Sequence, residues 1–233
     1  MMNVDDGKGE IVKEKVLFAW SSGKDSARAL HEIRQAGRYD VVSLLTTVTE
    51  GYERISMHGV RVSLVEQQAE SIGLPLEKVY IPDKSSNENY EAAMRDALVR
   101  NKAKGVTGVA FGDLFLEDLK KYREKKLAEV GMTAVFPLWK LDTGELARSF
   151  MAQGFRAVIT CVDSQALGGE FSGRLYDEQF LSDLPLHVDP CGENGEFHSF
   201  VFDGPLFRKP VRFEKGEIVV RENRFYFCEL LPA

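Results

Sequence analysis

A run of hydroxyl, glycine, lysine and aspartate residues lies near the start of the chain: Ser21, Ser22, Gly23, Lys24, Asp25 and Ser26. It follows the apolar run 16–20 and precedes a segment with helical apolar spacing, so we expect it to join a strand to the start of a helix. Such a start offers unpaired amide donors and the positive end of the helix dipole. Gly23 lets the backbone approach an anion, Lys24 adds a mobile positive charge, and the serines add donors. The pattern therefore predicts a site for phosphate groups, with pyrophosphate as the natural guest.

Two other interpretations of this loop are less favoured. A Walker A loop requires glycine five residues before the Gly-Lys pair and serine or threonine after it, whereas Phe18 and Asp25 fill those places. An ordinary capped turn, in which Asp25 and the serines satisfy helix amides, requires neither a lysine nor so many hydroxyls.

Strands and helices alternate through the first part of the chain. The sequence predicts strands at 16–20, 40–46, 76–81 and 106–111 and a fifth strand, or the exit of one, at 135–138, with helices near 25–36, 65–73, 87–102 and 116–130. This alternation predicts an α/β fold with a parallel five-stranded sheet flanked by helices, as in Rossmann-like proteins. Ligands of such sheets gather at the carboxyl ends of strands, which makes Gly112 and Asp113, at the end of the fourth strand, candidates for the site.

The pattern changes beyond residue 138. We expect a helix near 143–153, a strand at 157–161 and antiparallel strands within 211–230, hence a second, smaller mixed α/β domain. The predicted organisation is a disordered N-terminus at 1–14, an ATP-binding domain at 15–138 and a substrate-binding domain at 139–233.

Composition and charge exclude several classes of protein. A net charge of −6 and a pI near 5.4 argue against a nucleic-acid-binding protein, because backbone phosphates require a clustered basic surface. The chain has no apolar run long enough to span a membrane and no secretory signal at its start, so we expect a cytoplasmic protein. Its three cysteines are widely spaced and never form a CxxC pair, which disfavours a disulfide framework or a zinc site.

Further motifs follow the loop in a fixed order: Ser56-Met57-His58-Gly59-Val60, Gly112-Asp113, Tyr122-Arg123-Glu124 with Lys126-Leu127, Phe136-Pro137-Leu138-Trp139 and the segment 189–198, Asp-Pro-Cys-Gly-Glu-Asn-Gly-Glu-Phe-His. Together they resemble the PP-loop (N-type) ATP pyrophosphatases of the diphthine–ammonia ligase family, over roughly residues 15–208. The loop is similar to the SGGxDS pattern of these enzymes, with Ser22 where glycine is usual. Asn194 and His198 depart from the diphthamide enzymes and resemble the bacterial-type members.

The resemblance implies a HUP-like nucleotide domain and an amide-forming ligase. Family enzymes use ATP and ammonia to convert the carboxylate of diphthine, a modified histidine on elongation factor 2, into diphthamide, and they release AMP and pyrophosphate. Transfer of AMP turns the unreactive carboxylate into a mixed anhydride that ammonia can attack, while the loop and Mg²⁺ hold the pyrophosphate.

The motif and the resemblance together assign residues to roles. Those expected to bind the nucleotide are Ser21, Ser22, Gly23, Lys24, Asp25, Ser26, Thr46, Met57, His58 and Gly112, with Asp25 also near the metal. Those expected to take part in catalysis are Lys24, Asp25, Asp113, Glu193 and Glu196. Those expected to contact the acceptor are Arg123, Glu124, Glu193, Asn194, Glu196 and His198.

Several of these residues also have an ordinary structural interpretation. Glu193 and Glu196 are either paired carboxylates that orient or deprotonate ammonium, or two solvated loop acids. His198 either shuttles a proton or packs in the fold, and Arg123 with Glu124 suits the solvated face of a charged helix. Cys191 lies between proline and glycine, which favours a structural turn over a nucleophile.

Three functional alternatives stay open on the sequence. The first is a ligase acting on diphthine of elongation factor 2, and the second is a related enzyme acting on a small metabolite, toward which Asn194 and His198 lean. The third is a non-catalytic ATP-binding sensor of the same fold. A tRNA-thiolating relative is disfavoured by the acidic charge balance and the absence of a CxxC pair. A homo-oligomer is compatible with all of them.

Overall fold

The computed structural model describes residues 13–55, 59–83 and 86–233. Residues 1–12 of the predicted disordered N-terminus, and Met57 and His58 of the predicted nucleotide site, lie outside the described residues. The first strand begins at Glu14, one residue before the predicted start of the ATP-binding domain.

The first sheet is built from residues 14–135. Its strands are β1 (Glu14–Ala19), β2 (Tyr39–Thr49), β3 (Arg54–Ile55), β4 (Leu76–Ile81), β5 (Gly108–Ala110) and β6 (Thr133–Val135). Five of them are parallel in the order β4-β2-β1-β5-β6, and the short β3 pairs antiparallel with β2. The predicted parallel five-stranded sheet is confirmed.

Four helices connect these strands: α1 (Lys24–Ala36), α2 (Val62–Ile72), α3 (Asn87–Lys102) and α4 (Glu117–Glu129). Val16, Leu17 and Phe18 of β1 are all fully buried, because helices cover both faces of the sheet. Gly37 and Gly73 end α1 and α2 in the left-handed conformation that glycine adopts at little cost.

The segment 135–138, expected to be the fifth strand or its exit, is the exit of that strand. β6 covers Thr133–Val135, and the chain turns at Phe136 instead of continuing to Leu138. Pro137 explains the early end, since proline lacks the amide that the ladder requires.

The second sheet is antiparallel. It contains β7 (Arg156–Asp163), β8 (Phe197–Asp203), β9 (Phe213–Arg221) and β10 (Phe225–Pro232), in the order β8-β7-β10-β9. Two helices, α5 (Thr143–Ala152) and α6 (Glu178–Asp183), accompany it. The antiparallel pair expected within 211–230 is confirmed as β9 and β10, whereas β8, α6 and β3 were not predicted.

The second sheet packs directly against α1 and α2. Phe200 and Val201 of β8 belong to the same buried cluster as Phe18 and Leu30 of the first sheet and its helix. The amide of Val201 donates to the carbonyl of Ser22 at 3.0 Å. This packing brings the loop before β8 to the start of α1.

Within the described part of the chain, no helix is long and apolar enough to cross a membrane. Cys161, Cys191 and Cys228 are buried free thiols.

Candidate active site

The predicted phosphate loop lies where the sequence placed it, between β1 and α1. The hydroxyls of Ser21 and Ser26 are 3.0 Å apart, and Ser26 Oγ donates to the carbonyl of Gly23 at 2.9 Å. The Ser21 hydroxyl accepts a long hydrogen bond from the Gly23 amide at 3.4 Å. These contacts fold the loop into a tight turn at the amino end of α1, where the helix dipole favours an anion.

Ser22 has a backbone φ of 69°, in the left-handed region that side chains other than glycine rarely adopt. Its hydroxyl is buried and has no hydrogen-bond partner among the described residues. Its carbonyl, in contrast, accepts from the Val201 amide at 3.0 Å and from Gln68 Nε2 at 3.1 Å. Ser22 is thus held in a strained conformation by its backbone contacts.

Lys24 differs from the mobile cation that the sequence predicted, because its side chain is buried. The ammonium donates to Asp25 Oδ2 at 2.8 Å and to the carbonyl of Cys191. It also lies 5.6 Å from the ring centroid of Tyr176 and 5.3 Å from that of Phe197. Burial is the largest single effect on the pKa of Lys24 and lowers it, but Asp25, through its charge and its hydrogen bond, together with Cys191 and Glu193, outweighs burial, so that the pKa of Lys24 is raised.

Asp25 follows Lys24 in the first turn of α1 and is partly buried. Burial raises the pKa of its carboxyl, and the Lys24 ammonium offsets only part of that effect. One Asp25 oxygen is paired with the Lys24 ammonium at 2.8 Å, so the two charges largely offset each other.

Gly112 and Asp113 follow β5, beside the loop. A Cβ on Gly112 would lie 2.9 Å from the backbone of Asp25 and Ser26, so only glycine allows β5 to end this close to α1. Asp113 forms a two-point ion pair with Arg123 of α4, with N–O distances of 2.8 and 3.1 Å. The guanidinium of Arg123 also stacks 4.3 Å above the Phe111 ring.

The loop between α6 and β8, residues 189–196, brings Glu193 to the same place. Glu193 Oε1 accepts from the Leu114 amide at 2.8 Å, immediately after Asp113. Burial raises the pKa of Glu193 to about 7, and the nearby carboxylates of Asp25 and Asp113 act in the same direction. A carboxyl group with this pKa exchanges its proton near neutral pH, as a general base requires.

Glu196 supports the shape of the same loop. Its Oε1 accepts from the Asp189 amide and from Asn194 Nδ2, both at 3.0 Å. Asp189 Oδ1 in turn accepts from the amides of Cys191 at 2.9 Å and Glu193 at 3.3 Å. Glu196 is buried and Glu193 is half-buried, so they are not two solvated loop acids, the ordinary interpretation of their spacing.

The remaining predicted residues occupy different surroundings. Burial lowers the pKa of His198 to about 4, with Lys24 contributing, so its imidazole is neutral at neutral pH. Thr46 is buried in β2, one residue after Leu45, whose carbonyl accepts from the Trp20 amide at 2.8 Å. Glu124 is exposed on α4 and lies 3.8 Å from Lys120, on the solvated face that its spacing suggested.

Sequence reasoning missed four residues that hold the site together. Ser199 Oγ accepts from the Lys24 amide at 3.2 Å, and Gln68 bridges Ser22 to Val201. Tyr176 donates to the Pro190 carbonyl at 2.7 Å, and the Asp189 carboxylate supports the loop from its first residue. Ser199 and Gln68 bond to residues far away in the sequence, so no sequence pattern pointed to them. Asp189 could have been found, because it begins the motif at 189–198.

No cluster of three or more histidine, cysteine, aspartate and glutamate side chains suited to a metal ion occurs within the described ranges. The donor set nevertheless fits Mg²⁺ bound together with a nucleotide, since such ions take one or two protein carboxylates and draw other ligands from phosphates and water. At the phosphate loop, Asp25 is the residue that would supply such a carboxylate to Mg²⁺.

Comparisons with known proteins identify the family of the chain. The diphthamide synthase N-terminal domain family matches residues 14–134, and the diphthamide synthase C-terminal domain family matches residues 142–229. A diphthine–ammonia ligase of Danio rerio is 25% identical, with 90% of this chain and 90% of the relative covered. The Homo sapiens protein of the same name is 25% identical, with 88% and 85% covered.

A diphthine–ammonia ligase of Schizosaccharomyces pombe is also 25% identical and covers 88% of this chain, but the chain spans only 37% of that relative's length. The match of the N-terminal domain family extends over more than half of the 233 residues, and the C-terminal match covers most of the remainder. The chain belongs to the diphthamide synthase (diphthine–ammonia ligase) family.

Proposed function

We propose that this protein is an ATP-dependent ligase that adenylates a substrate carboxylate and amidates it with ammonia, releasing AMP and pyrophosphate. The observation that carries the proposal is the convergence of three parts: the loop Ser21–Ser26, the end of β5 at Asp113, and Glu193 from the second sheet's loop. The contact of Gly112 with Asp25 and the 2.8 Å bond from Leu114 to Glu193 support a common site.

In this proposal the loop binds the phosphates of ATP. The positive end of α1 attracts the pyrophosphate portion, and the hydroxyls of Ser21 and Ser26 would turn from each other and from the Gly23 carbonyl to donate to it. Asp25 serves as the protein ligand of Mg²⁺, which neutralises charge on the departing pyrophosphate when it is bound. Thr46, at the carboxyl half of β2, would face the nucleoside side of the site, together with Met57 and His58.

Glu193 is the proposed base of the amidation step. Ammonia at neutral pH is mostly ammonium, which has no lone pair for attack, so a proton must be removed before or during attack on the acyl adenylate. The carboxylate of Glu193, with its pKa of about 7, suits this task. The attacking nitrogen then displaces AMP, and its surplus proton passes to a base or to water.

Arg123 and Asp113 are proposed to orient the acceptor at the end of β5. Since Arg123 and Asp113 form an ion pair, the acceptor's carboxylate would have to share the guanidinium with Asp113. His198, neutral at neutral pH, would act as a hydrogen-bonding group and not as a cation.

The relatives' name makes diphthine the first acceptor to test, and in that case the partner is elongation factor 2. A small metabolite carboxylate is the second candidate, supported by the sequence-based expectation that Asn194 and His198 depart from the diphthamide enzymes. A non-catalytic ATP sensor is the alternative from another functional class.

The proposal is tested by incubating the protein with Mg²⁺-ATP and ammonium and measuring AMP and pyrophosphate, with either diphthine-bearing elongation factor 2 or a metabolite extract added. Acceptor-dependent release of both products is expected. The variant Ser26→Ala should bind ATP about tenfold more weakly, because it removes one hydroxyl donor to phosphate. Ser149→Ala on α5, whose hydroxyl bonds within its own helix, is the matched control. Tight ATP binding without turnover under any condition would support the sensor instead.

A further inference from the structure

Lys24 makes contacts that its position in a phosphate loop does not explain. A lysine that binds phosphate is expected to extend from the loop into solvent, where its ammonium can follow the ligand. Here the Lys24 side chain is only 5% exposed, and its ammonium faces the second sheet's loop.

Oxygen atoms and aromatic rings surround the Lys24 ammonium and stabilise its charge. Two oxygen atoms, Asp25 Oδ2 and the Cys191 carbonyl, accept from it, and the rings of Tyr176 and Phe197 lie within 5.6 Å. Aromatic faces attract a cation, and a buried charge that loses its partners is strongly destabilising. Moving the ammonium toward an incoming phosphate would therefore break several contacts at once.

The backbone on either side of Lys24 is tied to the same structure. Its amide donates to Ser199 Oγ in β8, and the carbonyl of Ser22 accepts from the Val201 amide in that strand. Both the main chain and the side chain of Lys24 are thus occupied by contacts with the second sheet and the loop that leads into it.

The loop that Lys24 holds is the one that carries Glu193. Cys191 is two residues before Glu193, and both of their amides bond to the Asp189 carboxylate. A displacement of the Cys191 carbonyl would be transmitted to Glu193, whose contact with Leu114 spans from the second sheet's loop to the end of β5.

We propose that Lys24 is a positioning residue: it fixes the loop 189–196, and with it Glu193, against the phosphate loop, and it is not a ligand of the ATP phosphates. This inference rests on the proposed function for its catalytic consequence. The structural part, the bracing of residues 189–196, stands independently of the reaction.

The test uses Lys24→Met, which keeps an apolar stem of similar length, and Lys24→Arg, which keeps the charge but places a larger planar group between the two rings. We expect both variants to bind Mg²⁺-ATP within about threefold of the wild type, since the backbone and hydroxyl donors are unchanged. Acceptor-dependent AMP formation at saturating ATP should fall about 100-fold in both, because Glu193 is misplaced.

Hydrogen exchange of the ligand-free proteins supplies the readout that does not depend on activity. The amides of residues 189–196 should exchange faster in both variants, while those of α3 on the other side of the first sheet should not change. In Lys24→Met, the pH at which activity reaches half its maximum should also rise, because the variant lacks a positive charge that favours the ionised form of Glu193. The other charged groups that act on Glu193 are Asp25 and Asp113, and both raise its pKa.

Two results would overturn the proposal. In the first, Lys24→Met weakens ATP binding by about tenfold or more while Lys24→Arg retains both binding and activity, as expected for a phosphate ligand. In the second, the exchange of residues 189–196 is unchanged in both variants. A wild-type protein that neither binds nor hydrolyses ATP would refute the proposed function, yet faster exchange in the variants would still support the bracing role.

Discussion

Ser22 illustrates, at the scale of a single residue, a conflict between backbone and side chain. The loop requires a positive φ at this position, and the serine found there has a buried hydroxyl without a partner. Both features cost free energy, because side chains disfavour the left-handed region and buried polar groups need hydrogen bonds.

We expect Ser22→Gly to raise the free energy of unfolding by about 1 kcal/mol, since it removes the strain and the unpaired hydroxyl at a modest entropic cost. Urea unfolding followed by circular dichroism measures the change. Ser21→Gly is the matched control: Ser21 lacks a positive φ and bonds to Ser26, so its replacement should destabilise the protein. A loss of stability in Ser22→Gly would contradict this account of the loop.

Glu193 provides a second prediction at this scale. Glu193 has a pKa of about 7 and must be ionised to act as a base. The rate of amide formation should therefore increase as the pH rises through about 7, with the dependence expected for the loss of a single proton. Glu193→Gln should lower the rate by about 100-fold and abolish this increase of rate with pH.

The control for this prediction is Glu222→Gln, which alters an exposed glutamate in the turn between β9 and β10. Rate measurements between about pH 6 and 8 decide the matter. If the rate for Glu193→Gln still increased with pH as it does for the wild type, another group would have to be the base.

The sequence predicted the loop residues but not how their side chains are arranged. Ser21, Gly23 and Ser26 could be assigned because a local pattern places them at a helix start. The site of the Lys24 ammonium could not be predicted, because its main acceptor is a backbone carbonyl 167 residues away. Buried Glu196 was paired with Glu193 from spacing alone, whereas packing gives the two carboxylates different partners.

At the scale of elements, the close approach of β5 to α1 depends on Gly112. A methyl group there would lie 2.9 Å from main-chain atoms of Asp25 and Ser26, which cannot move without shifting the helix start. We expect Gly112→Ala to lower the free energy of unfolding by about 2 kcal/mol and to weaken ATP binding.

Thermal unfolding and ATP titration measure both effects. Gly144→Ala, in the first turn of α5, is the matched control, because its new methyl group would meet only side-chain atoms, the nearest at 3.2 Å. Since alanine favours helix, that variant should be as stable as the wild type or more so. Equal behaviour of the two variants would mean that β5 and α1 can separate at little cost.

Element prediction succeeded where periodicity was clear. β1 and β2 contain short apolar runs, at 16–20 and within 41–45, and β4 follows the helix end at Gly73 and Pro75. β8 was missed because Phe197–Asp203 follows a glycine-rich segment and its partner, β7, is about 40 residues earlier, so its strand character depends on tertiary pairing.

At the scale of the whole molecule, the two sheets share one apolar core. The cluster that contains Phe18 and Leu30 also contains Phe200 and Val201, and Trp20 bonds through Gln68 to the backbone of β8. A further ion pair, from Arg54 to Glu229 at 2.6 Å, joins β3 to β10. The sheets are therefore expected to unfold together.

Urea unfolding should give coincident transitions when followed by tryptophan fluorescence and by circular dichroism, because Trp20 lies where the first sheet meets the second. Arg54→Ala should lower the midpoint without separating the two curves. Two resolved transitions would show that the sheets are independent units, and the site between them would then require a ligand to assemble.

The central claim, that the converging loop, strand end and glutamate form the site of an amide-forming ligase, is tested most directly by following the nitrogen atom. The protein is incubated with Mg²⁺-ATP, ¹⁵N-labelled ammonium and the acceptor, and the product is analysed by mass spectrometry alongside AMP and pyrophosphate. We predict that the label appears in an amide at the acceptor's former carboxyl group, in amounts equal to the AMP and pyrophosphate formed. Glu193→Gln should lose the labelled amide and AMP, with pyrophosphate limited to the single adenylation that precedes the step in which Glu193 acts. AMP and pyrophosphate formed without incorporated label, or ATP bound without turnover, would contradict the account.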